Sequence, residues 1–105
     1  MTSRFLIRPE AQADIEQSAF WYEDRRPGLG EMFTHELFEL IHRIVEAPLQ
    51  FPSVGALVRR GLLHKFPYAV YFLLEREDAV IIAVLHQKRD PAVWQGREPG
   101  SEGVE

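Results

Sequence analysis

Cations and histidines that could cleave or bind RNA are gathered in the second half of the chain. Arg59, Arg60 and Lys65 lie close together in sequence, and His86 is followed by Arg89. Metal-independent RNA cleavage needs a base for the 2′-hydroxyl, a cation for the developing phosphorane charge and a proton for the leaving oxygen. Histidine titrates near neutral pH and can exchange such protons. The sequence does not identify a catalytic residue; if the protein is a ribonuclease, the candidates are His86, Arg89, Lys65, Arg60 and His64.

The histidines also have ordinary structural interpretations. A lone histidine such as His86 is more often a strand-end residue that hydrogen-bonds the backbone than a catalytic base. His35 and His42 stand seven residues apart on a predicted helix, and a solvated helix face explains them better than a metal site. The chain has no cysteine, which excludes a thiolate zinc site, a disulfide and a cysteine nucleophile. We predict no metal and no cofactor.

The elements that position these residues follow from proline, glycine and hydrophobic spacing. Pro9 favours a helix start, a proline and two glycines within residues 27–30 end the first helix, and Pro48 ends the second. Three later runs rich in β-branched, leucine and aromatic residues are typical of strands. The predicted elements are a strand at 4–8, helices at 9–24 and 29–47, strands at 57–65, 68–75 and 79–86, and a helical turn at 90–94.

The resulting β-α-α-β-β-β order predicts an α+β fold in which a helical hairpin packs on a small, mostly antiparallel sheet. With 105 residues the chain fits one domain, which we place at residues 1–97. Residues 98–105 are expected to form a flexible tail, since the stretch from Gln95 onward carries no core signal. On the first helix we expect Trp21 and Tyr22 to be core or helix-packing aromatics and Asp14 to lie on the solvated face.

The hydrophobic runs and the cysteine content indicate the cellular compartment. The longest apolar run, residues 79–85, has seven residues, whereas a membrane-spanning helix needs about 20. The first residues lack the basic-then-apolar pattern of a secretory leader. The absence of cysteine fits a reducing compartment. We therefore expect a cytoplasmic protein that makes no membrane contact.

The last two predicted strands are apolar on both faces. In the final strand Val80, Ile82 and Val84 should share one face, while Ile81 and Ala83 share the other. Two helices can cover only one face of a small sheet, so something else must cover part of the second face. The C-terminal tail and another protein chain are the two alternatives.

The charge distribution divides the chain into an acidic and a basic half. Residues 10–46 carry nine acids and three bases, whereas residues 59–97 carry seven bases and four acids. The net charge of −4 argues against a general nucleic-acid binder. The asymmetry nevertheless predicts one positive patch, with scattered surface charge as the alternative. Its expected members are Arg59, Arg60, Lys65 and Arg89, with Arg97 as a further candidate.

A series of short motifs runs in order along the chain. They are FLIRPEA (5–11), DI (14–15), FWYE (20–23), PGLG (27–30), Pro48, KFPYAVY (65–71), HQKRDP (86–91) and Trp94. Together they resemble the RelE/ParE superfamily of bacterial type II toxins over residues 4–97, and the element order agrees. The resemblance implies a toxin that inhibits growth and is held inactive by a cognate antitoxin.

Two mechanisms are implied by this superfamily. RelE-like members cleave messenger RNA on the ribosome, and ParE-like members poison DNA gyrase. RelE-like enzymes typically carry lysines and arginines on the second and third strands, an arginine after the last strand and often a downstream tyrosine. Arg59, Arg60 and Lys65 could belong to the first cluster, and Arg89 matches the arginine after the last strand.

Two parts of the RelE-like set are absent. The arginine typical of the position directly after Tyr68 is Ala69 here. No tyrosine follows Tyr71, so the downstream aromatic can only be Trp94, whose indole cannot transfer a proton as a phenol does. The resemblance therefore favours a ParE-like toxin that acts by binding DNA gyrase rather than by its own chemistry.

The alternatives are a ribosome-dependent messenger RNA endonuclease of RelE type and a non-toxic interaction module of the same fold. The expected partners are a cognate antitoxin and DNA gyrase, or the ribosome and messenger RNA in the alternative. A homo-oligomer and a hetero-oligomer with the antitoxin both remain open. The residues expected to contact the target or the antitoxin are Arg59, Arg60, Lys65, Tyr68, Arg89 and Trp94.

Overall fold

The structure, a computed structural model, describes residues 4–99 and contains one four-stranded sheet with two long helices packed on it. The elements are β1 (Arg4–Ile7), α1 (Pro9–Arg25), α2 (Leu29–Glu46), a 3₁₀ turn (Pro48–Gln50), β2 (Arg59–Leu62), β3 (Tyr68–Glu75), β4 (Asp78–His86) and α3 (Ala92–Gln95). The sheet order is β1-β4-β3-β2. Strand β1 pairs with β4 in parallel, and the other two pairs are antiparallel. The predicted α+β fold and its element order are confirmed.

The turn between the two helices has a side-chain cap supplied from α1. The Glu23 carboxylate accepts hydrogen bonds from the backbone N–H groups of Gly28 and Gly30, at 2.9 and 3.0 Å. These donors lie at the start of α2, where a helix leaves its first N–H groups without partners. Gly28 adopts φ 91°, a left-handed conformation that glycine tolerates without steric cost. This cap fixes the helical hairpin.

Strand β2 is shorter than predicted, covering Arg59–Leu62 instead of residues 57–65. Groups outside the sheet take the backbone donors at both ends. The Leu57 N–H donates to a Glu98 carboxylate oxygen, at 2.7 Å, and the His64 and Lys65 N–H groups donate to the Glu36 carboxylate. A backbone donor bonded to a side chain is not available for a strand ladder.

One face of the sheet is buried under α1 and α2. The buried members of this core cluster come from both helices, from the segment around β2, and from alternate positions of β3 and β4; they include Ala11, Ile15, Phe33, Leu37, Leu40, Ile41, Ile44, Leu63, Phe66, Val70, Phe72, Ala79, Ile81 and Val84. The apolar stripe of α2 faces this core, as is typical of an amphipathic helix packed on a sheet.

The second face of the sheet is covered by the chain itself. Trp94 of α3 stacks on Tyr71 of β3 with ring centroids 5.2 Å apart and an interplanar angle of 16°. Val54 and Val58, in the segment before β2, pack in the same cluster. The sheet residues beneath are buried: Ala69, Tyr71, Leu73, Val80, Ile82, Ala83 and Leu85. The two-sided apolar pattern is therefore no evidence for a partner chain.

The strict alternation predicted for the last strand is wrong because β4 contains a bulge. Tyr71 pairs with Ala83, but the next residue, Phe72, pairs with Ile81. Ile82 therefore has no paired residue on β3. An extra residue shifts the alternation of side chains by one position. Ile82 and Ala83 consequently both face the second side of the sheet.

A prediction follows from the close approach of the two helices at Gly30. A Cβ atom there would lie 2.5 Å from the Ala19 carbonyl oxygen and 3.0 Å from the Glu23 Cβ. Helix propensity alone would favour alanine by about 1 kcal/mol. We expect the steric conflict to prevail, so that Gly30→Ala lowers the free energy of unfolding by about 1–3 kcal/mol in urea titrations. The neighbouring exposed substitution Glu31→Ala should change it by less than about 0.5 kcal/mol. A stabilised Gly30→Ala variant would contradict this packing.

Candidate binding surface at one end of the sheet

The strand register brings the loop after β2 beside the loop after β4. Tyr68 at the start of β3 pairs with His86 at the end of β4. The Leu63 N–H donates to the Tyr68 carbonyl oxygen at 3.0 Å, and the Gln87 N–H donates to the Pro67 carbonyl oxygen at 2.8 Å. Six polar residues therefore lie around the same end of the sheet. We call this surface the basic end: His64, Lys65, Tyr68, His86, Lys88 and Arg89.

The loop that carries Lys65 is held by a carboxylate from α2. Glu36 accepts the backbone N–H groups of His64 and Lys65, the latter at 3.2 Å. These bonds leave the exposed Lys65 side chain free to face solvent. Between α2 and this loop lies a groove of about 530 Å³, lined by Glu31, Met32, His35, Glu36, Glu39, Arg43, His64, Lys65 and Phe66.

Tyr68 joins the basic end to the core through aromatic contacts. Its ring centroid lies 5.1 Å from Phe33, 5.9 Å from Tyr22 and 5.4 Å from the imidazole of His86. These contacts are edge-to-face, a preferred arrangement for aromatic pairs. Tyr68 is half-buried, so only part of its ring is available to a partner.

Burial in this aromatic cluster raises the pKa of Tyr22 above its ordinary value of about 10, with a smaller contribution from charge repulsion by Tyr68. A raised pKa in the folded state means that folding disfavours the phenolate. The stability associated with Tyr22 is therefore complete below pH 10 and is lost as the pH rises through the folded-state pKa.

We expect Tyr22→Phe to flatten the alkaline limb of the stability curve. The folded phenol must ionise in a desolvated site, whereas phenylalanine has no proton to lose. The measurement is the urea midpoint of the unmodified protein and of Tyr22→Phe, taken between about pH 8 and 11. This range spans the ordinary pKa of tyrosine. The difference between the two curves should change only above about pH 10. A constant difference across the whole range would show that Tyr22 does not couple folding to pH.

His86 has one ring nitrogen engaged by the backbone. Its Nδ1 accepts the Lys88 N–H at 3.1 Å, and its carbonyl oxygen accepts the Arg89 N–H at 2.9 Å. This is the strand-end role that the sequence indicated as the alternative to catalysis. Lys65, Lys88 and Arg89 are exposed, and none of them forms an ion pair within residues 4–99. The three cations of the basic end are therefore outside any ion pair of the described residues, while the nearby Glu36 carboxylate is taken up by backbone N–H groups.

The predicted single patch is only partly correct, because three of its arginines lie elsewhere. Arg59 Nη1 donates to the Phe51 carbonyl oxygen at 2.6 Å and so holds the loop before β2. Arg60 pairs with Tyr71, about 10 Å along the strand from the basic end. Its Nε is buried and has no hydrogen-bond partner among the described residues. Arg97 forms an ion pair with Asp14. Lys65 and Arg89 are the predicted members that come together.

Trp94 does not belong to the contact surface predicted from the sequence. Only 6% of the residue is exposed, and its ring is stacked on Tyr71. Ala69, which stands where the RelE-like pattern has an arginine, is fully buried in the same cluster. The position of the RelE-like arginine therefore carries no cation here and is covered by apolar side chains, although Arg60 stands on the same face opposite Tyr71.

Two further expectations from the sequence are wrong. Trp21 is 50% exposed rather than in the core, and the Arg25 guanidinium lies 4.1 Å above its ring. Asp14 is largely buried and paired with Arg97 rather than solvated. A signal for Asp14 existed, because it follows Ala11 by three residues and so lies on the apolar stripe of α1. No sequence pattern indicated that Arg97 would be paired, since the stretch from Gln95 onward carries no core signal.

The expected tail, residues 98–105, is described only at its first two positions. Glu98 accepts the Leu57 N–H, and residues 100–105 lie outside the described residues. None of the helices within residues 4–99 combines the length and apolar character that crossing a membrane requires. The same part of the chain contains no group of three histidine, aspartate or glutamate side chains arranged to hold a metal ion.

Comparison with known proteins gives a matching family and solved structures of similar fold. The family model described as "ParE toxin of type II toxin-antitoxin system, parDE" matches residues 5–91. A solved structure, "Chromosomal ParDE TA system from P. aeruginosa", has a similar fold, with a TM-score of 0.72 over 82% of this chain and 96% of that chain. The two sequences are 19% identical, so this likeness shows the fold alone. Comparison with curated proteins gives no match.

Proposed function

Because the chain belongs to the ParE toxin family of type II toxin-antitoxin systems, we propose that it inhibits growth by binding and poisoning DNA gyrase in the cytoplasm. The family match confirms the resemblance seen in the sequence. A cognate antitoxin neutralises the toxin; the similar solved structure is of a ParDE system, which supports a ParD-like partner.

One observation carries the choice of binding over catalysis. Where RelE-like enzymes place an arginine, Ala69 is buried beneath the segment that carries Trp94. A phosphorane needs a cation at hydrogen-bond distance, and an alanine in an apolar cluster cannot supply one. The Nδ1 of His86 accepts a backbone hydrogen bond, so the neutral ring carries its proton on Nε2, which is then a donor and cannot take the proton of a 2′-hydroxyl. These features support a toxin without its own active centre.

The basic end is the surface that we propose for target or antitoxin contact. Lys65 and Arg89 are exposed cations without ion pairs in the described structure, and Tyr68 between them offers part of an aromatic ring. Arginine and tyrosine are enriched among the residues that dominate protein interfaces, and Lys65 adds positive charge beside them. An acidic partner surface fits this arrangement, even though the whole chain carries a net charge of −4.

The experiment compares two targets for the chain expressed without an antitoxin. We expect growth inhibition, loss of supercoiling by purified gyrase, and no cleavage of a translated messenger RNA. His86→Ala, at the edge of the proposed contact surface, should have only a graded effect on toxicity, whereas loss of a general base would cost about 10²–10⁴ in rate. RNA cleavage that His86→Ala abolishes would overturn the gyrase assignment in favour of a RelE-type endonuclease. Unimpaired growth with a folded chain would indicate a non-toxic interaction module.

A further inference from the structure

Strand β4 extends beyond the strand that should protect its edge. Strand β1 pairs with β4 only from Asp78 to Ile81, and the Arg8 N–H then donates to the Ile81 carbonyl oxygen. The chain turns into α1 at Pro9, while β4 continues to His86. Backbone groups on the outer edge of β4 from Ile82 onward therefore face away from β1 without a strand partner. Such groups must be satisfied in another way.

Two side chains from distant parts of the chain take the place of the missing strand. Asp14 Oδ2 accepts the Val84 N–H at 3.0 Å, and Arg97 Nη1 donates to the Ile82 carbonyl oxygen at 3.0 Å. Arg97 Nη1 also lies 2.6 Å from Asp14 Oδ2. The two side chains are only 12% and 21% exposed, so these charge-assisted bonds are poorly screened by solvent.

The segment that carries Arg97 has two further attachments, on different elements. Trp94 stacks on Tyr71 of β3, and the Glu98 carboxylate accepts the Leu57 N–H in the segment before β2. The only helix in this segment, α3, has four residues, which is too short to be stable alone in water. Residues 92–98 therefore owe their order to contacts with the rest of the domain.

We propose that residues 92–98 form a strap over the second face of the sheet and that the Asp14–Arg97 pair is the latch that keeps it closed. Because the segment has little stability of its own, its three attachments form and break together. Opening the latch at the β4 edge releases Trp94 and Glu98 as well. The face beneath the strap is apolar, so opening exposes buried side chains of β3 and β4 to solvent. This device is independent of the target of the toxin.

The test is Arg97→Met in a Trp21→Phe background, where Trp94 is the one remaining tryptophan. Two probes that do not touch Arg97 report the strap: acrylamide quenching of Trp94 and amide hydrogen exchange at Leu57. Loss of a charge-assisted hydrogen bond should raise the open population about tenfold, and Leu57 exchange should accelerate by the same factor. Quenching of Trp94 should increase in parallel.

A matched control removes a solvent-exposed ion pair. Arg4→Met breaks the Arg4–Asp78 contact, and it should leave Leu57 exchange and Trp94 quenching unchanged. Arg97→Lys keeps the charge and should restore part of the protection. If Arg97→Met does not fold, Glu98→Gln tests the same coupling from the other side, since it should accelerate exchange at Val84. Faster exchange confined to the mutated contact, with the distant probes unchanged, would overturn the proposal.

Discussion

Trp94→Ala should lower the free energy of unfolding by about 3–5 kcal/mol, the range found when a buried aromatic side chain is truncated. Trp94 lies in the cluster on the second face and stacks on Tyr71. A Cβ atom at Gly55 would meet its ring at 3.1 Å, so the segment before β2 packs tightly against it as well. Truncation would remove the main cover of this face and leave a cavity. Urea titration followed by circular dichroism measures the loss.

Trp21→Ala is the matched control because the same side chain is lost from an exposed site. Trp21 keeps half of its surface in solvent and contacts the Arg25 guanidinium. A cation–π contact at such a site contributes about 0.5–1 kcal/mol, so the loss should be of that order. Equal destabilisation by the two substitutions would refute the core role of Trp94. A full loss of toxicity in Trp94→Ala should accordingly be attributed to unfolding before any contact is inferred.

Reversal of two charges at the basic end should weaken target binding about 100-fold, since each contact of this kind contributes about 1–3 kcal/mol. The variant is Lys65→Glu with Arg89→Glu. Both side chains are exposed and make no ion pair within residues 4–99, so the reversal breaks no described salt bridge. Inhibition of gyrase supercoiling and direct binding, each at low and moderate salt, measure the effect. The residual binding should also lose much of its salt dependence.

The control for net charge is Arg4→Glu with Arg76→Glu. These residues lie at the opposite end of the sheet, where Arg4 pairs with Asp78 in register and Arg76 forms the β3–β4 turn. The total charge changes by the same amount in both variants. If the two double variants weaken binding equally, the effect is a long-range field of the whole protein and the basic end is not the contact surface.

The elements that depend on local signals could be placed from the sequence. Pro9 set the start of α1, the glycines around residue 28 separated the two helices, and the polar residues after Glu75 made the β3–β4 hairpin. Each of these features depends on backbone preferences or on hydrogen bonds between near neighbours. The sequence also showed that Ala69 stands where the RelE-like pattern has an arginine, because this difference concerns one position in a short motif.

The tertiary structure alone decided which side chains serve the fold and which remain free. The ends of β2 are set by Glu36 and Glu98, which lie about 30 and 40 residues away in sequence. No sequence signal indicated the bulge at Ile82, because a strand that is apolar on both faces has no alternation of apolar and polar residues for a bulge to interrupt. Arg97 and Arg89 are the same residue type in the same basic half. One is paired with Asp14 and the other is exposed, because a partner 83 positions away becomes a neighbour only when the chain folds back on itself.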